Sequence, residues 1–421
     1  MDNARQRERK ERLLNTLLTD LFISYRNALR HRRRSLAGAM AVTFGTVALM
    51  LAAGFIEYIY WAMREGTIHA GMGHIQVIRA GYAERGMADP FEYVLADDIG
   101  ARKVIENAPH VVQVASRLRF TGLLALRDAS LSFLGEGRDP DHEVGGADSL
   151  IVESGAPLSS AMPTGVLLGR GLAANLGAKV GDSVVLLVNK RGGALDGMDV
   201  TVRGIFSTQT KAYDDVALQL PFSLARQLLQ SGGAHSWIVY LDQTRNTDAV
   251  VRDLRPKLTN DLALVPWYQT ADFYNKTVRL FSRQVLVMKI IIAIVVILSI
   301  SNTMMMNVME RTDEIATSMA VGVRRRNILI RFLFEGVFIG LLGALAGLLI
   351  GYVLAELISR VGIPMPPPPG MARGYLGKIL LTPVLVRDAL IIAIVTSVIA
   401  SLYPAWKASR MVIADALRHG R

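Results

Sequence analysis

Four stretches of this chain carry no charged side chain over a length that matches a lipid bilayer: Ser35 to Ile56, Ile290 to Met309, Gly336 to Ala355 and Ala389 to Trp406. At a helical rise of 1.5 Å per residue, about 20 apolar residues cross the hydrocarbon core. A backbone inside lipid has no water to bond, so a lone crossing segment must be a helix. The sequence therefore predicts a membrane α-helical fold with four transmembrane helices, at 35–61, 285–309, 332–356 and 387–406. Between the first two lies a long water-facing region, 62–284, expected to form a large α+β extracytoplasmic domain. A hydrophobic content of 51% and a mean hydropathy of +0.31 fit that division. In the third span Gly336, Gly340, Gly343, Gly347 and Gly351 recur every three or four residues, a stripe along which a neighbouring helix can approach closely.

Basic residues set the orientation. Arg5, Arg7, Arg9, Lys10, Arg12, Arg26, Arg30, Arg32, Arg33 and Arg34 precede the first span. Arg311, Arg324, Arg325, Arg326 and Arg331 separate the second from the third, and Lys407, Arg410, Arg418 and Arg421 follow the fourth. Positive charge accumulates on the cytoplasmic side. Segments 1–34, 310–331 and 407–421 are thus expected inside, with both termini, and 62–284 and 357–386 outside. The net charge of +11 then reads as a membrane-surface signal, with no nucleic-acid partner expected. Within the first segment Leu13, Leu14, Leu17, Leu18, Leu21, Phe22, Tyr25 and Leu29 share one helical face. That pattern suits an amphipathic helix on the inner leaflet or one packed on a partner. No cleavable signal is expected ahead of the first span.

The outer region alternates short strands with helices. Strands are expected at His74–Arg79, Val111–Phe120, Leu131–Gly135, Ser183–Val188, Val200–Phe206, Trp237–Leu241 and Leu262–Trp267, and helices at Asp97–Asn107 and Thr247–Leu258. From Thr270 to Met309 nothing breaks a helix, so an outer helix is expected to run into the second span.

Catalytic chemistry is not found. The chain has no cysteine, which excludes disulfides and thiolate chemistry, and its seven histidines show no metal-ligand spacing. Leu376-Gly377-Lys378-Ile379 lacks the rest of a phosphate loop, and Gly169-Arg170-Gly171 reads as a turn before a helix. Catalytic residues, metal ligands and cofactors are therefore not expected in this chain, nor is enzyme activity. Glu335, near the start of the third span, suits a structural or a coupling role and can pair with Arg331 at i,i+4.

Met309-Glu310-Arg311-Thr312-Asp313-Glu314-Ile315-Ala316, Met319-Ala320-Val321-Gly322-Val323-Arg324-Arg325 and Phe334-Glu335-Gly336 together resemble the signature of FtsX-like permeases, which include MacB-type efflux and Lol-type lipoprotein-releasing ABC transporters. Tyr403-Pro404-Ala405-Trp406-Lys407-Ala408-Ser409-Arg410, Asp415-Ala416-Leu417-Arg418 and Tyr25-Arg26-Asn27-Ala28-Leu29-Arg30 resemble the same family's ends. By this resemblance 310–331 holds a coupling helix that docks on an ATPase subunit through Glu310, Arg311, Glu314, Ile315, Met319 and Gly322, followed by Arg324 and Arg325. ATP and magnesium are then bound by that partner, in two copies, beside a second permease subunit that is either identical or a paralogue. Residues 1–34 are too few for a fused ATPase. Gly73-His74-Ile75-Gln76-Val77 and the run Leu168 to Gly177 look most like Lol-type subunits; the loop Pro364 to Gly370 departs from them. The resemblance implies a bacterial inner-membrane protein with a periplasmic domain and a lipidated cargo passed to a periplasmic carrier or adaptor. Met50, Phe55 and Ile56 with Leu286, Ile290 and Ile294 are candidates for contact with that cargo or for plain packing. A tripartite efflux permease and a non-transporting regulator of a cell-wall enzyme remain the other two classes.

Overall fold

The computed structural model describes residues 32–86, 91–96, 99–140, 150–190, 195–208, 211–366 and 374–411. The helix expected over Leu13–Leu29, the tail beyond Met411 and residues 367–370 of the proline stretch lie outside them. Two compact units result, one from Met1–Ile59, Val278–Ile363 and Leu376–Arg421, the other from Tyr60–Thr277 and Pro364–Tyr375.

All four apolar runs are helical. They lie in α1 (Arg32–Thr67), α2 (Asp272–Glu310), α4 (Arg325–Val361) and α5 (Pro383–Ser409), with a short helix α3 (Thr312–Ala320) between α2 and α4. Each long helix meets the length and hydropathy of a membrane span. α2 is continuous over 39 residues, as the lack of a breaker indicated. Helix propensity matters little here; what fixes the bundle is how closely the backbones meet. The glycine stripe on α4 serves two neighbours at different heights. Gly336 and Gly340 receive Ser401 and Ser397 of α5, and Gly343, Gly347 and Gly351 receive Val42, Thr46 and Met50 of α1. Both serine hydroxyls donate back along α5, to the carbonyls of Ser397 and Ala393 at 2.6 Å each, so no polar group is stranded at the contact. Thr43 Oγ1 lies 2.9 Å from the Ala39 carbonyl and 3.0 Å from that of Gly343.

The second unit is richer in sheet than the α+β expectation. Among the described residues its main sheet has ten strands: β1 (Ile75–Arg79), β2 (Val111–Leu126), β3 (Ala129–Arg138), β4 (Ile151–Gly155), β5 (Gly165–Gly169), β6 (Ser183–Asn189), β7 (Leu195–Ser207), β8 (Ala217–Pro221), β9 (Ser236–Leu241) and β10 (Leu262–Pro266). The seven expected strands and two helices are present with shifted ends. Strands β4, β5 and β8 and the helix Phe222–Leu229 were not expected. Gly169 does precede a helix, Arg170–Leu176, closed by Gly177 at φ 72°.

β2 belongs to two sheets. Its first half joins β10, β1 and β9 in an antiparallel open sheet. Its second half pairs with β3, and the ladder continues through β8, β5, β7 and β6 back to β2, closing a small barrel. Closure leaves the barrel strands no free edge. Leu118, Phe120, Phe133, Leu168, Leu186, Val202 and Leu218 fill its interior. Helices Ile99–Glu106 and Thr247–Leu254 supply Ile105, Val250 and Leu254 to the open sheet, against Val77, Trp237 and Val239.

A buried carboxylate sits where β2 changes partners. Glu136 Oε1 lies 3.2 Å from Arg117 and 3.1 Å from Arg119, and Oε2 lies 3.0 Å from Arg138. Burial alone would raise Glu136, but the three guanidiniums hold it well below the usual carboxylate range. Burial pushes its neighbour Tyr213 up to about 12. Nearby, His74 Nδ1 accepts from Leu241 N–H at 3.1 Å, which leaves Nε2 as the donor toward Thr244 Oγ1 at 3.2 Å. Thr244 Oγ1 donates in turn to Glu65 at 3.1 Å. Burial lowers His74 to about 4, with Glu65 and Asp242 opposing and His69 and Arg64 adding to the shift.

Two predictions follow from this packing. A Cβ on Gly343 meets the Ala39 backbone carbonyl at 2.5 Å, whereas one on Gly351 meets the movable Met50 sulfur at 2.8 Å. Gly343→Ala is expected to lower the melting temperature in detergent more than Gly351→Ala, overpacking of this kind costing about 1–3 kcal/mol. For His74, the native state stays neutral where the unfolded chain takes up a proton. Its stabilisation is complete above 6.5 and is lost as pH falls toward about 4. The unfolding midpoint should drop across that window, with a shallower slope in His74→Gln. The contribution of Glu136 is retained until pH falls below the usual carboxylate range.

Candidate functional site

The described residues contain no cluster of histidine and acidic side chains able to hold a metal. The candidate site is the turn of structure between the second and third spans. There α2 ends at Glu310, Arg311 leaves helical geometry at φ −103° and ψ 18°, and α3 begins at Thr312. The coupling helix expected within 310–331 is set apart from α2; the break arises because Thr312 Oγ1 bonds the Met309 carbonyl at 2.7 Å, satisfying the end of α2. Glu310 therefore belongs to α2, where it is exposed. Asp313 and Glu314 occupy the first turn of α3, where negative charge suits the helix N-terminus.

The other end of α3 closes as its glycine requires. Gly322 adopts φ 100°, its N–H donates to the Met319 carbonyl at 3.0 Å, and Val323 N–H donates to Ser318 at 3.1 Å. Only glycine takes that backbone conformation without a steric cost. Arg324 then caps α4, and Arg325 is its first residue.

An ion pair anchors this segment from within. Arg311 reaches Glu335 of α4 at 3.3 Å and Glu314 at 3.2 Å, and its guanidinium lies 5.8 Å from the Phe332 ring centre. The Glu335 side chain is 4% exposed and that of Arg311 14%, so the pair is largely withdrawn from water. Glu335 was expected to be able to pair with Arg331 on its own helix; the fold also brings it Arg311, 24 residues away, which joins the loop to the third span.

Sequence reasoning grouped residues that the fold separates. Ile315 and Met319 are buried against Met304, Val308, Ile328 and Phe332, so they seat α3 rather than face outward. The outward face is Asp313, Glu314, Thr317, Ser318 and Val321, with Val323 beside it, around an open depression of about 570 Å³. Of these only Glu314 was singled out. The signal was present in the helical spacing of 313, 314, 317, 318 and 321, complementary to that of Ile315 and Met319. Among the lipid-contact candidates, Leu286, Ile290 and Ile294 are 58%, 49% and 51% exposed, whereas Met50 is 1% exposed against Gly351. Met50 is thus a packing residue of the bundle. Phe55 packs near Gly377, and Ile56 is partly buried.

Residues 35–257 match the MacB-like periplasmic core domain, and residues 286–413 match the FtsX-like permease C-terminal domain. A macrolide export ATP-binding/permease protein, MacB, of Syntrophobacter fumaroxidans is 30% identical over 43% of this chain and 25% of its own length. A lipoprotein-releasing system transmembrane protein, LolC, of Xylella fastidiosa is 27% identical over 60% of this chain and 64% of its own. The chain thus spans less than two thirds of either relative. The periplasmic region of MacB from Actinobacillus actinomycetemcomitans aligns at 15% identity with a TM-score of 0.36, over 50% of this chain and 95% of that structure.

Removing Arg311 leaves a carboxylate buried without its partner, a change that costs about 3–5 kcal/mol when the pair is fully withdrawn from water. Arg311→Ala is expected to loosen α3 and raise the rate of tryptic cleavage at Arg324–Arg326, with Arg311→Lys intermediate. Equal cleavage rates in the three proteins would show that the ion pair does not hold the helix.

Proposed function

Since the chain belongs to the family that joins a MacB-like periplasmic core domain to an FtsX-like permease C-terminal domain, we propose that it is the transmembrane permease subunit of an ABC transporter of the mechanotransmission type. In this reading it couples ATP hydrolysis by a separate ATPase subunit to the extraction of a lipidated cargo from the bacterial inner membrane. The carrying observation is α3, seated by Ile315 and Met319, tied by Arg311 to Glu335, and presenting Asp313, Glu314, Thr317, Ser318 and Val321 to a partner. An ATPase docked on that face moves α3. Because Arg311 is ion-paired with α4 and joins α2 to α3, the displacement is passed to two spans at once. The basic flank Arg324–Arg326 supports a cytoplasmic position for this face and a periplasmic one for the sheet-rich unit.

Two ATPase copies and a second permease subunit complete the assembly, and a periplasmic carrier receives the cargo. The chain itself supplies no catalytic group; ATP and magnesium stay with the ATPase. Lipid tails meet the exposed row Leu286, Ile290 and Ile294 of α2. A second reading, a permease of tripartite efflux, is favoured by the likeness to a macrolide exporter.

Proteoliposomes containing this chain, its ATPase and a labelled lipoprotein, with a soluble carrier outside, test the proposal. Label is expected on the carrier only with ATP, and Glu314→Lys should abolish the transfer. An ATPase that binds and hydrolyses normally while no lipidated cargo moves would overturn the extraction reading in favour of efflux.

A further inference from the structure

The sheet-rich unit holds a cleft of about 600 Å³ that the coupling scheme does not use. One wall is the last part of α1, with Trp61, Arg64 and Glu65; the other carries Arg245, Asp248 and Tyr268, with Trp267 at the base. Its volume falls in the range of small-molecule sites, roughly 300–1,000 Å³. The lining is neither an apolar groove nor a single-sign charge patch. Aromatic rings stand beside charges of both signs.

The charges differ in what they already do. Glu65 is held by Arg64 at 3.1 Å and by Thr244 at 3.1 Å, and Asp248 accepts the Tyr268 hydroxyl at 2.7 Å. Arg245 is exposed and, among the described residues, makes no ion pair or hydrogen bond. Trp61 is 43% exposed and Tyr268 36%, while Trp267 is 6% exposed and packs edge-on to Tyr268 and Tyr274 with ring centres 5.9 and 5.0 Å apart. A half-exposed tryptophan and tyrosine next to an unengaged arginine leave room for an amphipathic anion that also carries a cation.

Position in the chain narrows the class. Trp61 follows Ile56, the last residue of the charge-free run, in the same unbroken helix. At 1.5 Å per residue Trp61 stands roughly 8 Å beyond that run, the depth at which polar headgroups begin. Tryptophan and tyrosine favour that layer because one end of each ring system is apolar and the other polar.

We propose that this cleft binds the headgroup of a zwitterionic phospholipid, of the phosphoethanolamine class. Arg245 and Arg64 take the phosphate, the carboxylates of Asp248 and Glu65 take the ammonium, and Trp61 and Tyr268 cover the glycerol end. The proposal goes beyond the coupling reading and does not depend on it.

The test uses the full chain in lipid-free detergent, titrated with dihexanoyl phosphatidylethanolamine or dihexanoyl phosphatidylglycerol while tryptophan emission is followed. Trp61→Phe assigns the signal. Saturable, Trp61-dependent binding of the ethanolamine lipid is expected, with the glycerol lipid weaker. Arg245→Glu should weaken binding about tenfold, the scale of one lost charged contact. Because Arg245 makes no ion pair or hydrogen bond among the described residues, an unchanged melting temperature is expected and shows that the variant remains folded. Equal binding of the two lipids, no effect of Arg245→Glu, or no Trp61-dependent signal overturns the proposal. So does a cleft that ignores both lipids but is quenched by a peptide from a protein partner. Neither nucleotide nor ATPase enters the titration, so its failure leaves the coupling scheme to its own test.

Discussion

Along α4 the distance of helix approach is set by absent side chains. Gly336 and Gly340 let α5 in, and Gly343, Gly347 and Gly351 let α1 in, on one stripe used at two levels. In lipid there is little hydrophobic drive between helices, so packing contact at short range carries the association. The rest of the bundle takes its register from this stripe. Glu335 immediately precedes Gly336, so the glycine contacts with α5 also fix where its carboxylate stands. Arg311 finds it there, and α3 is seated by that pair together with Ile315 and Met319. The helix left over is α2, with only 11% of its most apolar window buried, against 33–39% for the other three. Its apolar side chains are the least covered of the four and are open to lipid or to another subunit.

The second unit rests on a different device. β2 runs 16 residues and serves an open sheet with one half and a closed barrel with the other. At the change of partner the strand carries Arg117 and Arg119, and β3 answers with Glu136 and Arg138. Taking such charges out of water is costly unless geometry and hydrogen bonds compensate. Here one carboxylate serves three guanidiniums and the Tyr213 hydroxyl at 3.0–3.3 Å. A cluster of this kind contributes specificity of register: sliding β2 by one residue would turn Arg117 and Arg119 to the opposite face.

Much of both units was legible in the residues. Charge-free runs located the spans, because a lone segment in hydrocarbon satisfies its own backbone only as a helix. Strands such as Ser183–Asn189 announced themselves through a run of β-branched and apolar residues, Val184 to Val188, with polar residues at both ends. Gly165–Gly169 and Ala217–Pro221 did not: each is five residues long and carries glycine or proline at one or both ends, which reads as a turn. In the candidate site the motif from Glu310 to Arg325 was visible, but its division into an inner and an outer face was not carried through, and Ile315 and Met319 were grouped with Glu314.

Sequence alone determined which segments are apolar enough to span, where the basic flanks fall, and that thiol chemistry is excluded. Each of these depends on a residue and its near neighbours along the chain. Tertiary structure alone decided that Arg311 pairs with Glu335, that Met50 is spent on packing against Gly351, and that β2 closes a barrel. It also brought Trp61 within one cleft with Arg245 and Tyr268. Those outcomes depend on groups far apart in sequence, and local periodicity carries no information about which of many distant partners will meet.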